Sequence, residues 1–340
     1  MLQGRTIQQV QELLNTQLKT KFDFLVPTSF LSFTVDGKMC NKDSGKSIEL
    51  TEHAHSQMAS FLDIPTAYYH KMRVAEPELL SENVNKWMSK TKHGTRRLVR
   101  TLDGRCRAFL SDRYLPIDNH DVVKYLLPTI EQSGCQIESA EVTENRMYIK
   151  AVTPRITGEV KVGDKVQAGI IIQNSEIGCG RIEVSPLIYR LACKNGMVIN
   201  ELSNKRHHVG RRAQEEDIGT FGIYSKQTIM ADITAFLLKA RDSVKAALNQ
   251  AVFSQVLAKM QEAAGIPITN FEEVMEDVST KYSISDAESK FILQNMISGG
   301  DPTKYGLVNA ITFAAHHQTT DYDRSVELER IGGSVLYSKI

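Results

Sequence analysis

Asp103-Gly104, set between two runs of strand-forming residues, is the point at which this chain has least freedom. A two-residue Asp-Gly loop selects a type I′ hairpin, whose twist matches that of the strands it joins. With that turn, Leu102 pairs with Arg105, Arg100 with Arg107 and Leu98 with Phe109 on one face. Thr101 with Cys106 and Val99 with Ala108 share the other, which suits a core. From Lys90 to Arg113 the segment carries eight Lys or Arg against two acids. Arg100 directly opposite Arg107 costs roughly a few tenths of a kcal/mol in isolation. A bound polyanion would remove that repulsion, and so would neighbouring carboxylates.

The whole chain does not advertise a polyanion partner, because its 340 residues carry a net charge of only +1. Distribution carries more information than the total. A second basic stretch, Lys205-Arg206-His207-His208 and Arg211-Arg212, runs into Glu215-Glu216-Asp217. Local basic stripes on a neutral protein still follow a phosphate backbone, with a weaker long-range field than a basic domain has. Hydrophobic and charged fractions of 41% and 24% suit a soluble globular chain with a large core. No stretch approaches the roughly 20 apolar residues of a membrane span, and MLQGRTIQQV is too polar for a secretory signal. The expected compartment is the cytoplasm. Cys40, Cys106, Cys135, Cys179 and Cys193 are odd in number and never at CxxC spacing, as expected of free thiols.

The order of elements points to an α+β fold: a mixed or antiparallel sheet with hairpins, helices packed on one face, and a helical C-terminal region. Three regions are expected: an N-terminal α/β module at 1–88, a strand-rich core with the basic hairpin at 89–218, and a helical region at 219–340. The first opens with a helix from Thr6 to Leu18, with Thr6 and Gln9 at capping-box spacing. A hairpin follows, with strands Phe30–Val35 and Ser47–Leu50 and a turn at Asp36-Gly37-Lys38. Two helices then flank Asp63-Ile64-Pro65. In the second region, Asn119–Ser133 reads as a helix and Glu144-Asn145 as the turn of another hairpin. That turn pairs Val142 with Met147, Ala140 with Ile149 and Ser139 with Lys150. GIIIQNSEIGCG reads as an apolar strand running into a turn, and Asn195-Gly196 as a further turn. In the third region, an apolar stripe from Gln227 to Ala264 predicts one helix of about 35 residues, long enough to require a packing partner. Ser285 and Glu288 cap the next helix and Gly299-Gly300 ends it.

No GxxxxGK[ST], GxSxG or HExxH motif occurs, and Gly178-Cys179-Gly180 lacks the third glycine of a dinucleotide fingerprint. The pairs His207-His208 and His316-His317 have no ligand at a familiar metal spacing; the first suits a basic loop and the second a helix end. Asn174, Ser175 and Glu176 are expected to satisfy their own backbone as turn residues, or with Lys194 and Asn195 to form a polar site. Tyr114, Tyr148 and Tyr189 either stack on bases or pack in the core. Trp87, the sole tryptophan, gives no direction. No catalytic residue, cofactor or metal is assigned.

LTEHAHSQMASFLDIPTAYY, RCRAFLSDRYLPIDN, QNSEIGCG, RLACKNGMV, KRHHVGRR and YGLVNAITFAAHHQTTDYDRSVELERIGG, in that order from Leu50 to Gly333, carry a resemblance. Together they resemble the phage/plasmid-like proteins of domain-of-unknown-function family 932. The resemblance implies a mobile-element origin in a bacterial host and no particular activity. The reading favoured at this level is a non-enzymatic protein that binds single-stranded DNA in phage or plasmid recombination or replication and self-associates; strand annealing, a task that needs no nucleotide hydrolysis, is compatible with it. Arg100, Arg105 and Arg107 would hold the backbone, with Arg96, Arg97, Arg113, Lys205, Arg206, His207, His208, Arg211 and Arg212 extending the track. Phe109 or Tyr114 would stack. The alternatives are a protein that acts on a phage or host protein partner, as in host takeover or anti-defence, and a metal-dependent nuclease using Glu176 or His207 and His208.

Overall fold

The computed structural model describes residues 4–200, 204–206 and 226–339. Thr6 starts α1 (Ile7–Thr20) through the expected capping box, its hydroxyl accepting from the Gln9 amide and the Gln9 side chain accepting from the Thr6 amide. β1 (Phe22–Pro27) follows, and β2 (Leu31–Phe33), β3 (Met39–Asn41) and β4 (Ser47–Ile48) form a small antiparallel meander. Thr51 caps α2 (Glu52–Phe61), and α3 (Thr66–Ala75) and α4 (Pro77–Ser89) complete the layer. Phe33, Met58, Tyr69, Leu80, Val84 and Phe109 are buried between these helices and the strands.

The basic hairpin is β5 (Arg96–Leu102) and β6 (Arg105–Ser111), and Asp103 and Gly104 both adopt positive φ, 50° and 76°, as a type I′ turn requires. β5 also pairs with β1, so the hairpin assigned to the central region belongs to the N-terminal sheet, ordered β1-β5-β6. The pairing register holds for Leu102 with Arg105 and Thr101 with Cys106, then shifts at a bulge. Arg100 lies opposite Ala108, Val99 opposite Phe109 and Leu98 opposite Leu110. Arg107 is the extra residue, so the expected Arg100 and Arg107 pair does not form.

After α5 (Asn119–Gln132), the antiparallel main sheet contains β7 (Gln136–Val142), β8 (Met147–Glu159), β9 (Lys165–Asn174), β10 (Ile182–Arg190), β11 (Asn195–Val198) and β12 (Asn204–Arg206). The β7–β8 register is the expected one over Val142 with Met147, Ala140 with Ile149 and Ser139 with Lys150. The turn expected at Asn195-Gly196 lies at 191–194 instead, where Lys194 takes φ 50°, and both expected turn residues pair within β11.

The helical region comprises α6 (Lys226–Ala247), α7 (Gln250–Ala264), α8 (Phe271–Tyr282), α9 (Asp286–Gly299), α10 (Lys304–His317) and α11 (Tyr322–Tyr337). The single long helix from Gln227 to Ala264 is thus two helices. Asn249 leaves the helical conformation and caps α7 by accepting from the Ala251 amide. Both halves pack within the chain: Phe236, Leu237 and Val244 on the main sheet, and Phe253, Val256 and Met260 against the later helices.

The α+β class, the antiparallel pairing and the helical C-terminal region are as expected. Helices, however, cover both faces of the main sheet. Ile149, Ile170 and Ile172 face α1, α5 and α6, while Tyr148, Val152, Ile171 and Leu187 meet Tyr322 and Val326 of α11. Their alternation along β8 and β9 follows the two-residue period of a strand.

Candidate nucleic-acid interface and the cleft between the hairpin tips

Both faces of the basic hairpin are covered. Val99, Cys106 and Phe109 lie on the helical layer, while Leu98, Ala108 and Leu110 pack with Tyr114 and Ile177. Arg100 shares that second face and has no exposed surface. Its Nε donates to Asp23 Oδ2 at 2.9 Å, its Nη1 to the Glu176 carbonyl at 2.7 Å and its Nη2 to Asp118 Oδ1 at 2.5 Å. Lys21 reaches Asp118 at 2.5 Å and Glu176 at 3.1 Å, and Arg107 reaches Glu176 at 2.6 Å. Lys21, Arg100 and Arg107 are balanced by Asp23, Asp118 and Glu176.

The electrostatics follow from the balance. Burial opposes charge on Arg100, but Asp118, Asp23 and Glu176 outweigh it and raise its pKa. Burial likewise opposes ionisation of Asp118 and Glu176, yet Arg100 and Lys21 on the first, and Arg107 and Lys21 on the second, hold both below the usual carboxylate range. Arg100 therefore cannot hold a phosphate backbone, and the carboxylates that neutralise it are internal. Phe109 is fully buried and Tyr114 nearly so, its hydroxyl donating to the Ser175 carbonyl at 2.9 Å, so neither offers a face to a base.

The segment Asn174 to Gly180 is a hub rather than a self-contained turn. Asn174 donates to the Ile117 carbonyl and to Asn119 Oδ1, the Ser175 hydroxyl to the Asn145 carbonyl, and the Asn119 amide to Glu176 Oε1. His53 Nε2 and Gln57 Nε2 both reach the Ile177 carbonyl, at 2.9 and 2.8 Å. Asn195 lies apart from this segment and donates to Thr312 Oγ1. Cys179 Sγ lies 3.4 Å from each ring nitrogen of His53 and 3.6 Å from Asn145 Oδ1, and burial pushes its thiol up to about 11. A thiol raised in this way is less readily ionised than a free one.

The tips of the two hairpins face each other across a cleft of about 320 Å³. Arg105 and Arg107 line it from one hairpin, Asn145 and Arg146 from the other, with Asn119 and Glu176 between them. Arg146 donates from Nη2 to the Cys179 carbonyl at 2.6 Å and forms no ion pair among the described residues. Arg105 is exposed and lies 3.8 Å from Glu49.

The other expected contacts scatter. Arg97 stacks over Phe61 and Phe109, with centroids at 4.4 and 4.9 Å, donates to the Phe109 carbonyl, and is brought down to about 10 by burial. Arg96 and Arg113 are half-buried. Lys205 and Arg206 pair through their backbones with Glu183 and Ile182, while His207, His208, Arg211 and Arg212 lie outside the described residues. His316 is buried 3.3 Å from Glu329, which Lys150 meets at 2.8 Å between β8 and α11. His317 stacks on Phe313 at 4.0 Å.

A basic surface that the hairpin reading missed lies at the end of α4. No acid occurs between Glu82 and Asp103. Lys86, Lys90, Lys92 and His93 are exposed there, beside Arg96. Trp87 is 46% exposed, with Lys90 Nζ 4.7 Å from its ring centroid, and helical spacing puts Lys86, Trp87 and Lys90 on one face. The acid-free run was the available signal; what hid it was that the exposure of Trp87 depends on how α4 packs.

Among the described residues, no group of three or more His, Cys, Asp or Glu is placed to hold a metal ion. No helix among them is long and apolar enough to cross a membrane. No curated protein and no solved structure matches the chain. The model of one family, Domain of unknown function (DUF932), matches residues 108–331, which run from the basic hairpin through the hub segment to α11. This protein belongs to that family.

Proposed function

We propose that the protein is a non-enzymatic single-strand nucleic-acid-binding protein of phage or plasmid recombination or replication, and that it grips the strand at the end of α4 rather than along the hairpin. The observation that carries this reading is Trp87, exposed amid Lys86, Lys90, Lys92 and His93 in a run that has no acid from Asn83 to Leu102. An exposed indole offers a stacking platform worth about 1–3 kcal/mol per base, and flanking lysines neutralise phosphates without reading sequence. Base stacking on Trp87 requires unpaired bases, which favours single strands.

Fluorescence anisotropy with labelled single- and double-stranded oligonucleotides across a salt series tests it. The expected result is tighter binding of the single strand, with log K falling linearly in log salt. Equal affinity for both forms, or no binding at low salt, contradicts it. A second reading has its own support: Tyr68, Val74 and Leu79 on α3 and α4 are also exposed, at 48%, 82% and 40%, which suits a phage or host protein partner. Co-purification of one stoichiometric protein that Trp87→Ala abolishes, without strand binding, would favour that reading.

A further inference from the structure

We infer that the cleft between the hairpin tips is a binding site for a phosphate monoester of about nucleotide size. This inference stands independently of the α4 surface. Arg105, Arg107 and Arg146 converge on the cleft from two hairpins whose tips are distant in sequence. Arg107 Nε and Arg146 Nε are both buried and have no acceptor among the described residues. Buried polar groups are bonded in the great majority of cases, so each of these two guanidiniums of the cleft lining keeps an N–H that an anion in the cleft would take up once the side chain turns toward it.

Two of the three carboxylates in the lining are engaged elsewhere. Glu176 is committed to Arg107, Lys21 and the Asn119 amide, and Asp103 accepts from the Thr20 hydroxyl at 2.5 Å. Glu144, at the tip of its turn, is exposed. Arg146, whose charge no carboxylate among the described residues pairs, is the anchor. A phosphate monoester presents several strong acceptor oxygens to guanidiniums arriving from different directions, where a carboxylate presents two. The volume of about 320 Å³ lies at the lower end of the range for small-molecule pockets, roughly 300–1,000 Å³, and suits one nucleotide rather than a strand.

Isothermal titration of the full chain with inorganic phosphate, 5′-AMP, adenosine and succinate tests the assignment. Phosphate and 5′-AMP are expected to bind, 5′-AMP more tightly, while adenosine and succinate do not. Arg146→Gln is expected to weaken 5′-AMP by about 10- to 100-fold, the loss of a charged hydrogen-bond donor. The exposed Arg105→Gln, chosen because it leaves the packing untouched, is expected to weaken it less. Comparing a 5′-phosphorylated oligothymidylate with its 5′-hydroxyl form separates the sources: a preference for the former assigns a strand end, and none assigns a free nucleotide. Absence of phosphate and 5′-AMP binding, adenosine binding as tightly as 5′-AMP, or unchanged affinity in both folded variants overturns the inference.

Discussion

A guanidinium with no exposed surface persists in a folded protein only when its charge and its N–H groups are met from within. Arg100 satisfies that condition through Asp23, Asp118 and the Glu176 carbonyl. Replacing it by Met leaves those carboxylates facing one another, and a stability loss of about 3–5 kcal/mol is expected in chemical denaturation. A loss under 1 kcal/mol would show that the cluster holds little together. The same residues set an acid limit. Asp118 and Glu176 titrate below their ordinary values of 3.8 and 4.5 when folded, so their contribution is present above those values and disappears as pH falls through the lowered ones. Melting temperature should therefore drop on going from about pH 5 to pH 3, and less so in Arg100→Met. The sequence displays the positive charge of Arg100 but not its partners, two of which come from other elements far along the chain.

At the scale of elements, local chemistry was legible and its interruptions were not. Asp103-Gly104 and Glu144-Asn145 both turn where their dipeptides require. The bulge at Arg107 arises from outside the hairpin. The Cys106 amide and carbonyl bond to the Glu49 carbonyl and the Thr51 amide, and the Phe109 amide to Gln57, so a neighbouring segment sets the edge of β6. A one-residue shift exchanges the faces of the strand beyond it, which is why Phe109 became core and Arg100 lost its expected partner. The apolar stripe that predicted one long helix continues through Asn249, where the cap overrides the period. Asn249→Ala is expected to cost about 1 kcal/mol of stability, read as a lower midpoint in urea. Lys150 and Glu329 join β8 to α11 with no exposed surface on either; burial drives the lysine pKa down and the glutamate pKa up, each opposed by the other. Glu329→Leu alone should cost about 3–5 kcal/mol, and Lys150→Met with Glu329→Leu far less. Equal costs for the single and double variants would deny that the pair acts as a unit.

Across the whole molecule, basic residues divide among three places, one of them the cleft lined by Arg105, Arg107 and Arg146. Lys21, Arg100 and Arg107 serve the interior where the N-terminal sheet meets the hub segment, and Lys86, Lys90, Lys92 and His93 remain in water beside Trp87. Composition alone could not separate them, because the net charge of +1 counts all alike. The C-terminal helices bury their stripes against the main sheet and one another, so truncation from Gln227 should expose core and unfold the protein. Because Trp87 is the only tryptophan, its emission reports directly on the proposed contact. The decisive measurement is a titration of intrinsic fluorescence with an unlabelled single-stranded oligonucleotide at low and high salt. Saturable quenching that requires more oligonucleotide as salt rises is expected, with Trp87→Phe retaining more affinity than Trp87→Ala in anisotropy. Emission that stays constant while the strand binds would place the interface elsewhere and contradict the account.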